Sequence, residues 1–172
     1  MKAFKMRRGV VAVVATTSFS VVASGAGLEE YGYGGVACVR RSSSPAPEAS
    51  FAVSQGRVYN ADSSATLRLD CPVLRPVFGA NTGPFNVGLI ALDQHFSQDV
   101  FCQARAHDPA TDSFYFDSRT TSGSNPAPQK LNLTPSGVDA ADTYYYLYCE
   151  VPPTFNGIKS GIMSIDFQEF FP

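Results

Sequence analysis

Three tyrosines alternate along one segment and could together form a binding surface. Tyr144, Tyr146 and Tyr148 are each separated by a single residue, so on a β-strand their rings share one face. Aligned aromatic rings can stack on the flat faces of sugars or contact a partner protein. Tyrosine also fills sheet faces that other elements cover, and the chain has no Trp, the usual residue for stacking on sugars. Two alternatives therefore remain open, a ligand-binding platform and packing within the fold.

Four cysteines could form disulfides, hold a metal or carry a lipid; they are Cys38, Cys71, Cys102 and Cys149. An even number of cysteines in an exported chain favours two disulfides. Of the three possible pairings we prefer Cys38–Cys71 and Cys102–Cys149, because each joins segments that we predict to be strands. No pair has the C-x-x-C spacing typical of zinc sites. Residues 35–38 resemble a lipid-attachment box, but Glu29 and Glu30 separate them from the apolar segment that should adjoin it.

The two histidines are the first candidates for catalysis. His95 and His107 both lie in segments with turn-forming residues, where a solvent-exposed histidine is the common case. A serine hydrolase needs a serine in a strained turn, and the chain has no G-x-S-x-G motif. We therefore assign no catalytic residue, and keep a hydrolase that uses His95 or His107 as the least favoured alternative.

Acidic residues could serve a glycosidase or a calcium site. Scattered aspartates and glutamates will always provide some pair of carboxylates at glycosidase spacing, so that pattern carries no information. Asp108, Asp112 and Asp117 could bind calcium, but they lack the D-x-D-x-D-G order, and a polar loop is the better interpretation. We expect neither a metal nor another cofactor.

The N-terminal residues predict export. Lys2, Lys5, Arg7 and Arg8 precede an uncharged segment at 10–22 and small residues at 23–26, the pattern of a secretory signal peptide over residues 1–26. The apolar segment is shorter than the roughly 20 residues of a membrane-spanning helix, so we expect no integral membrane segment after processing. The expected location is secreted, periplasmic or at the cell surface.

Export also changes the charge. The leader would remove four of the 13 basic residues and none of the 15 acidic ones, which leaves a net charge of about −6. Such a surface repels phosphate backbones, so nucleic acid is not an expected partner.

The elements that position these residues are β-strands. Apolar and polar residues alternate in segments 66–73, 99–106, 144–151 and 161–170, and in the first three the cysteine lies on the apolar face. Weaker strands fit at 51–60, 85–92, 113–119 and 129–133, with turn-forming clusters between them. We predict an all-β fold: an antiparallel two-sheet β-sandwich of about eight or nine strands with two disulfides. It would occupy residues 51–172, preceded by an extended surface segment at 27–50.

Three resemblances accompany this pattern. Residues 139–149 look like the strand-F signature of the immunoglobulin-like sandwich, but Cys149 follows Tyr146 by three positions instead of two, and the core Trp is missing. Residues 161–171 loosely resemble the terminal strand of pilin and spore-coat subunits. The motifs around Cys71, Cys102 and Cys149 resemble small exported bacterial four-cysteine proteins of unassigned function. The last resemblance implies a β-sandwich and no particular activity.

These observations favour a non-enzymatic exported protein with a structural, adhesive or surface-interaction role. It would self-assemble through the C-terminal strand if that strand has a free edge. The alternative is a carbohydrate- or ligand-binding module that uses Tyr144, Tyr146 and Tyr148.

Overall fold

The computed structural model describes residues 28–73, 85–135 and 143–170. They form eleven strands and two single-turn 3-10 helices. The strands are β1 (Leu28–Gly34), β2 (Val39–Arg40), β3 (Phe51–Ser54), β4 (Arg57–Asn60), β5 (Leu67–Pro72), β6 (Phe85–Leu92), β7 (Phe101–Asp108), β8 (Ser113–Thr120), β9 (Gln129–Leu133), β10 (Tyr144–Val151) and β11 (Gly161–Phe170). The predicted leader at 1–26 and residues 139–142 of the immunoglobulin-like motif lie outside the described residues.

The strands form two antiparallel sheets, which confirms the predicted β-sandwich. Sheet A has six strands in the order β3-β4-β11-β6-β9, with β1 also paired to β11. Sheet B has five strands in the order β2-β5-β10-β7-β8. The inward faces of both sheets contribute to one apolar core, in which alternate residues such as Leu67, Leu69 and Cys71 are fully buried. Period-two alternation predicted these inward positions because successive side chains of a strand point to opposite faces.

Eleven strands instead of eight or nine arise from two causes. The predicted strand at 51–60 is a hairpin, β3 and β4, that turns at Gln55 and Gly56, both of which have positive φ angles. Segment 27–50, predicted to run over the surface, contributes a strand to each sheet: β1 pairs with β11 and β2 with β5. This segment has too few apolar residues to show the alternation from which we predict strands. It can still form strands, because main-chain hydrogen bonds between strands need no apolar side chain.

A β-bulge in β11 changes which of its residues face the core. The alternation of the sequence predicts Met163 inside and Ile162 outside. The register between β11 and β6 shifts between Ile162 and Ser164, and Ile162, Ile165 and Phe167 are all fully buried, while Met163 is only partly so. One extra residue in a strand reverses the facing of everything beyond it, so strict alternation fails at this point.

The C-terminal strand β11 lies in the middle of sheet A. It pairs with β6 on one side and with β4 and β1 on the other, so its described residues have hydrogen-bonding partners along both edges. Self-assembly through β11 stays a prediction, and it would require another strand to be displaced first.

Both disulfides involve strands of sheet B and join the two pairs that we preferred. Cys102 and Cys149 occupy directly opposed positions of β7 and β10, with their Cα atoms 4.2 Å apart. Cys38 precedes β2 and is bonded to Cys71 of β5, at a Cα separation of 4.0 Å. Two disulfides indicate a protein that folds in an oxidising compartment. Among the described residues, no helix is long and apolar enough to cross a membrane.

Two polar side chains connect the sheets. Asn60, fully buried at the end of β4, donates from Nδ2 to the carbonyls of Ala65, Val151 and Pro152 at 2.9, 3.0 and 3.0 Å. Tyr33 of β1 donates its hydroxyl to the carbonyl of Pro72 in sheet B, and burial raises its pKa to about 12.

Asp62 organises the loop that follows Asn60. Its Oδ1 accepts hydrogen bonds from the amides of Ser64 and Ala65 at 2.8 and 2.7 Å, and its Oδ2 accepts one from Ser50 Oγ at 3.1 Å. These bonds favour the ionised carboxylate, with the two backbone amides as the largest cause, and they lower the pKa of Asp62 to about 2.

We expect the stabilising effect of Asp62 to depend on pH. Because the folded pKa of about 2 lies below 3.8, the ordinary pKa of an aspartate, the contribution of Asp62 to stability is fully present above pH 3.8 and is lost as the pH falls through about 2. The Asp62→Asn variant should therefore melt below the wild type at neutral pH, and the gap should narrow between about pH 4 and pH 2. Thermal melts monitored by circular dichroism test this. A gap that stays constant over the whole range would contradict it.

Candidate functional site: an aromatic face on sheet B

The outward face of sheet B carries the predicted tyrosines on β10. Their alternation with Tyr145 and Leu147, both buried, directs all three away from the core. Their exposure differs: Tyr144 is 66% exposed, Tyr146 is half-buried, and Tyr148 is only 8% exposed. The structure thus brings the three residues onto one face but leaves two of them accessible to a ligand.

Two phenylalanines of β8 extend this face. Phe114 and Phe116 are 58% and 64% exposed. The strand register places Phe114 opposite His107 of β7, which is opposite Tyr144; it places Phe116 opposite Arg105, which is opposite Tyr146. Phe114 also stacks on the His107 ring, with a centroid distance of 4.2 Å. We call the outward set Phe114, Phe116, Tyr144, Tyr146 and Tyr148 the aromatic face.

Tyr148 forms the floor of the aromatic face. The guanidinium carbons of Arg41 and Arg105 lie 5.2 and 4.7 Å from its ring centroid, within the range of cation–π contacts. Its hydroxyl donates to Glu150, which also pairs with Arg68 at 3.1 Å. Burial, and then the hydrogen bond to Glu150, raise the pKa of Tyr148. This tyrosine therefore positions the arginines more than it offers surface to a ligand.

Two grooves flank Tyr146, and its ring separates them. The larger, of about 580 Å³, is lined by Ala37, Val39, Arg41, Asp70, Cys71, Pro72 and Tyr146. The smaller, of about 250 Å³, is lined by Gln103, Arg105, Phe114, Tyr115, Phe116 and Tyr146. In the larger groove Arg41 pairs with Asp70 at 3.8 Å, and one carboxylate oxygen of Asp70 is buried without a hydrogen-bond partner among the described residues. The face thus combines an aromatic ridge with polar groups on both sides.

His95 is buried, contrary to the expected solvent-exposed turn histidine. It is 7% exposed, its Nδ1 accepts from the amides of Ser97 and Gln98 at 3.3 and 3.0 Å, and its ring contacts Phe155. The nearby buried Asp93 accepts hydrogen bonds from Thr121 Oγ1 and from the His95 amide rather than from the imidazole. With Nδ1 engaged by the backbone, His95 holds a loop, and none of the described groups that hydrogen-bond to its ring is a nucleophilic side chain.

His107 lies within β7 rather than in a turn. Its Nε2 is 3.1 Å from Asp112 Oδ1, and it stands on the aromatic face. Asp108 bonds to Thr111 Oγ1 and to the Ala110 amide, which lower its pKa. Asp117 pairs with Arg119 at 2.6 Å. The three aspartates are thus used separately, and the described residues contain no group of three or more His, Cys, Asp or Glu side chains placed to hold a metal.

Phe114, Phe116 and Arg105 belong to this surface and were missed as site residues. The alternation of residues 113–119 did contain the signal, since Phe114 and Phe116 lie opposite to the half-buried Tyr115. What was lacking was the pairing of β8 with β7 and of β7 with β10, which aligns these residues with the tyrosines.

Comparison with known proteins shows remote structural similarity alone. No protein-family model and no curated protein matches the chain. The chain is similar to a low-affinity xylan-binding module, CBM86, from Roseburia intestinalis, at 11% identity and a TM-score of 0.45 over 82% of this chain and 96% of that one. It is also similar to the CBM36-1 domain of a multidomain xylanase from the hindgut metagenome of Trinervitermes trinervoides, at 10% identity and a TM-score of 0.33 over 81% and 96%. At these values the two structures carry no information about what this chain binds.

Proposed function

We propose that this protein is a glycan-binding module and that the aromatic face is its binding surface. The observation that carries the proposal is the ridge of Tyr146 between two grooves, with three further exposed aromatic rings beside it. Exposed aromatic clusters on a soluble domain are typical of interaction sites. Rings that stand beside hydrogen-bonding groups suit sugars, which have apolar ring faces and polar edges.

The dimensions of the face favour an oligosaccharide over a single sugar. Phe116, Arg105, Tyr146 and Pro72 occupy successive positions in one row across β8, β7, β10 and β5. Adjacent strands lie about 4.8 Å apart, so this row is roughly 14 Å long. Because a β-sheet holds its side chains in fixed positions, such a row is organised before the ligand arrives, which reduces the entropic cost of binding.

The setting proposed for this activity is outside the cytoplasm. The predicted leader at 1–26 and the two disulfides support secretion or display at the cell surface. Glycans that such a protein would meet are polysaccharides of cell surfaces and of the surrounding medium.

Truncation of the ridge should abolish most of the affinity. After a glycan array has identified a ligand for the wild type, we expect Tyr146→Ala to weaken binding about tenfold or more, because a central aromatic contact carries much of the energy of such sites. Isothermal titration calorimetry measures the change. Failure of the wild type to bind any glycan on a broad array would refute the proposed function.

The chain offers a matched control for the aromatic rings. Phe116, on the aromatic face, and Phe96, in a loop beside Phe155 elsewhere on the protein, are both 64% exposed. We expect Phe116→Ala to weaken glycan binding severalfold and Phe96→Ala to leave it unchanged. Equal effects of the two substitutions would show that the losses come from altered folding.

A second candidate, an adhesive or structural protein that docks through β8, has one supporting observation. The strand β8 ends sheet B, and it carries the exposed rings of Phe114 and Phe116. An edge strand with exposed apolar side chains can pair with another chain. Light scattering over a wide concentration range discriminates the two functions: a monomer throughout would count against assembly, whereas a growing oligomer that Phe114→Lys prevents would support it.

A further inference from the structure

Arg105 is held in place at the base of the smaller groove. Its Nε donates to Gln103 Oε1, and its guanidinium carbon lies 4.7 Å from the Tyr148 ring centroid and 5.9 Å from that of Tyr146. No described residue forms a hydrogen bond with its Nη1 or Nη2. The two aromatic rings and Gln103 therefore fix the orientation of the guanidinium while its two terminal nitrogens remain available, as in arginines that bind planar anions.

Arg105 also differs from the other arginines of this face in whether a nearby carboxylate neutralises its charge. Arg41 pairs with Asp70 and Arg68 with Glu150, at 3.8 and 3.1 Å. His107 has Asp112 as its neighbour. No carboxylate among the described residues lies within ion-pairing distance of Arg105. The smaller groove thus contains a cation whose charge none of the described side chains neutralises.

We propose that the smaller groove is a subsite for the carboxylate of a uronic acid within the bound glycan. This inference rests on the proposed function and specifies its ligand. The terminal nitrogens of Arg105 would donate two hydrogen bonds to the carboxylate, and Tyr146 and Phe116 would contact the sugar ring on either side. In the larger groove Arg41 is already paired with Asp70, so we expect that groove to bind uncharged sugars.

The overall charge of the chain further restricts the class of glycan that we expect to bind. The mature protein is expected to carry about −6 charges, which repels polymers with densely packed negative groups. One uncompensated arginine in a groove of about 250 Å³ fits a single carboxylate. We therefore expect preference for uronides over densely sulfated glycans.

A pair of ligands that differ only in the carboxylate tests the proposal. Oligogalacturonide and its methyl ester have the same sugar rings, but only the first is charged. We expect the wild type to bind the acid about tenfold more tightly than the ester by calorimetry, as charge-assisted hydrogen bonds allow. Arg105→Gln should bind the acid and the ester with equal affinity.

Two further variants distinguish the effect of the two hydrogen-bond donors of the Arg105 guanidinium from the effect of positive charge alone. Arg105→Lys keeps the charge but loses the planar donor pair, so we expect an intermediate preference. Arg68→Gln removes a paired arginine from the same face and should retain the full preference for the acid. Arg105→Gln must keep the native circular dichroism spectrum for its binding data to be used. If it does not, two other measurements provide the test: the intermediate preference of Arg105→Lys for the acid, and a decrease of the wild-type preference for the acid as salt is added.

The outcomes are distinguishable from failure of the proposed function. Equal wild-type affinity for acid and ester would overturn the carboxylate subsite while glycan binding stands. The carboxylate subsite would also be overturned if Arg68→Gln lost the preference for the acid to the same extent as Arg105→Gln. The preference would then come from the total positive charge of this face and not from Arg105. Tighter binding of dextran sulfate than of the uronide would assign the groove to another anion. Absence of binding to any glycan would refute the proposed function itself.

Discussion

Replacement of Asn60 by aspartate is expected to destabilise the protein by roughly 3–5 kcal/mol, the usual cost of an uncompensated buried charge. Asn60 is fully buried, and its amide nitrogen donates to three carbonyls, those of Ala65, Val151 and Pro152. Aspartate has the same size but replaces the donor by a carboxylate oxygen that faces three carbonyl oxygens. Repulsion and loss of hydration therefore act together, at a point where sheet A is joined to the end of β10.

Chemical denaturation with urea measures the effect of this substitution. Asn132→Asp provides the control, because Asn132 is exposed on the outer face of sheet A, where a surface substitution should change stability by no more than about 0.5 kcal/mol. Burial raises the pKa of a carboxyl group, so the loss in Asn60→Asp should become smaller at low pH, where the acid is neutral. Equal stability of Asn60→Asp and Asn132→Asp would show that Asn60 does not join the sheets as described.

Removal of the Cys102–Cys149 disulfide is the second large expected effect. The bonded residues are 47 apart in sequence, and the chain-entropy relation gives a stabilisation of about 4 kcal/mol for a loop of that length. The Cys102→Ala, Cys149→Ala double variant should therefore unfold at a markedly lower urea concentration. Both residues are fully buried on the core side of sheet B, and alanine avoids placing a polar group there.

The second disulfide serves as an internal comparison. Cys38 and Cys71 are 33 residues apart, and the same relation gives a value only a few tenths of a kcal/mol smaller. Similar losses in the two double variants would support the loop-entropy account. Wild-type stability of the Cys102→Ala, Cys149→Ala variant would contradict a stabilising role for that bond. Glycan binding should survive in the Cys102→Ala, Cys149→Ala variant if it remains folded, because both cysteines lie in the core, on the side of sheet B opposite the aromatic face.

Part of the candidate site could be predicted from the sequence and part could not. The alternation of Tyr144, Tyr146 and Tyr148 correctly placed them on one strand face. That Tyr148 is covered could not be predicted, since Arg41 and Arg105, which lie over its ring, come from distant segments. His95 shows the same limit: its local sequence is that of a turn, yet Phe155 from another loop covers it.

The sequence by itself determined the all-β sandwich and, apart from the bulge in β11, the direction of the side chains in the segments predicted to be strands. Alternation is a local property, because the extended backbone turns successive side chains to opposite faces whatever the neighbouring strands are. It identified the strand segments other than β1 and β2 and placed Cys71, Cys102 and Cys149 on apolar faces, which favoured disulfides between strands. The tertiary structure alone decided which strands are neighbours and in what register. Register depends on packing between segments far apart in the chain, and it is register that aligns Phe116, Arg105 and Tyr146 into one row.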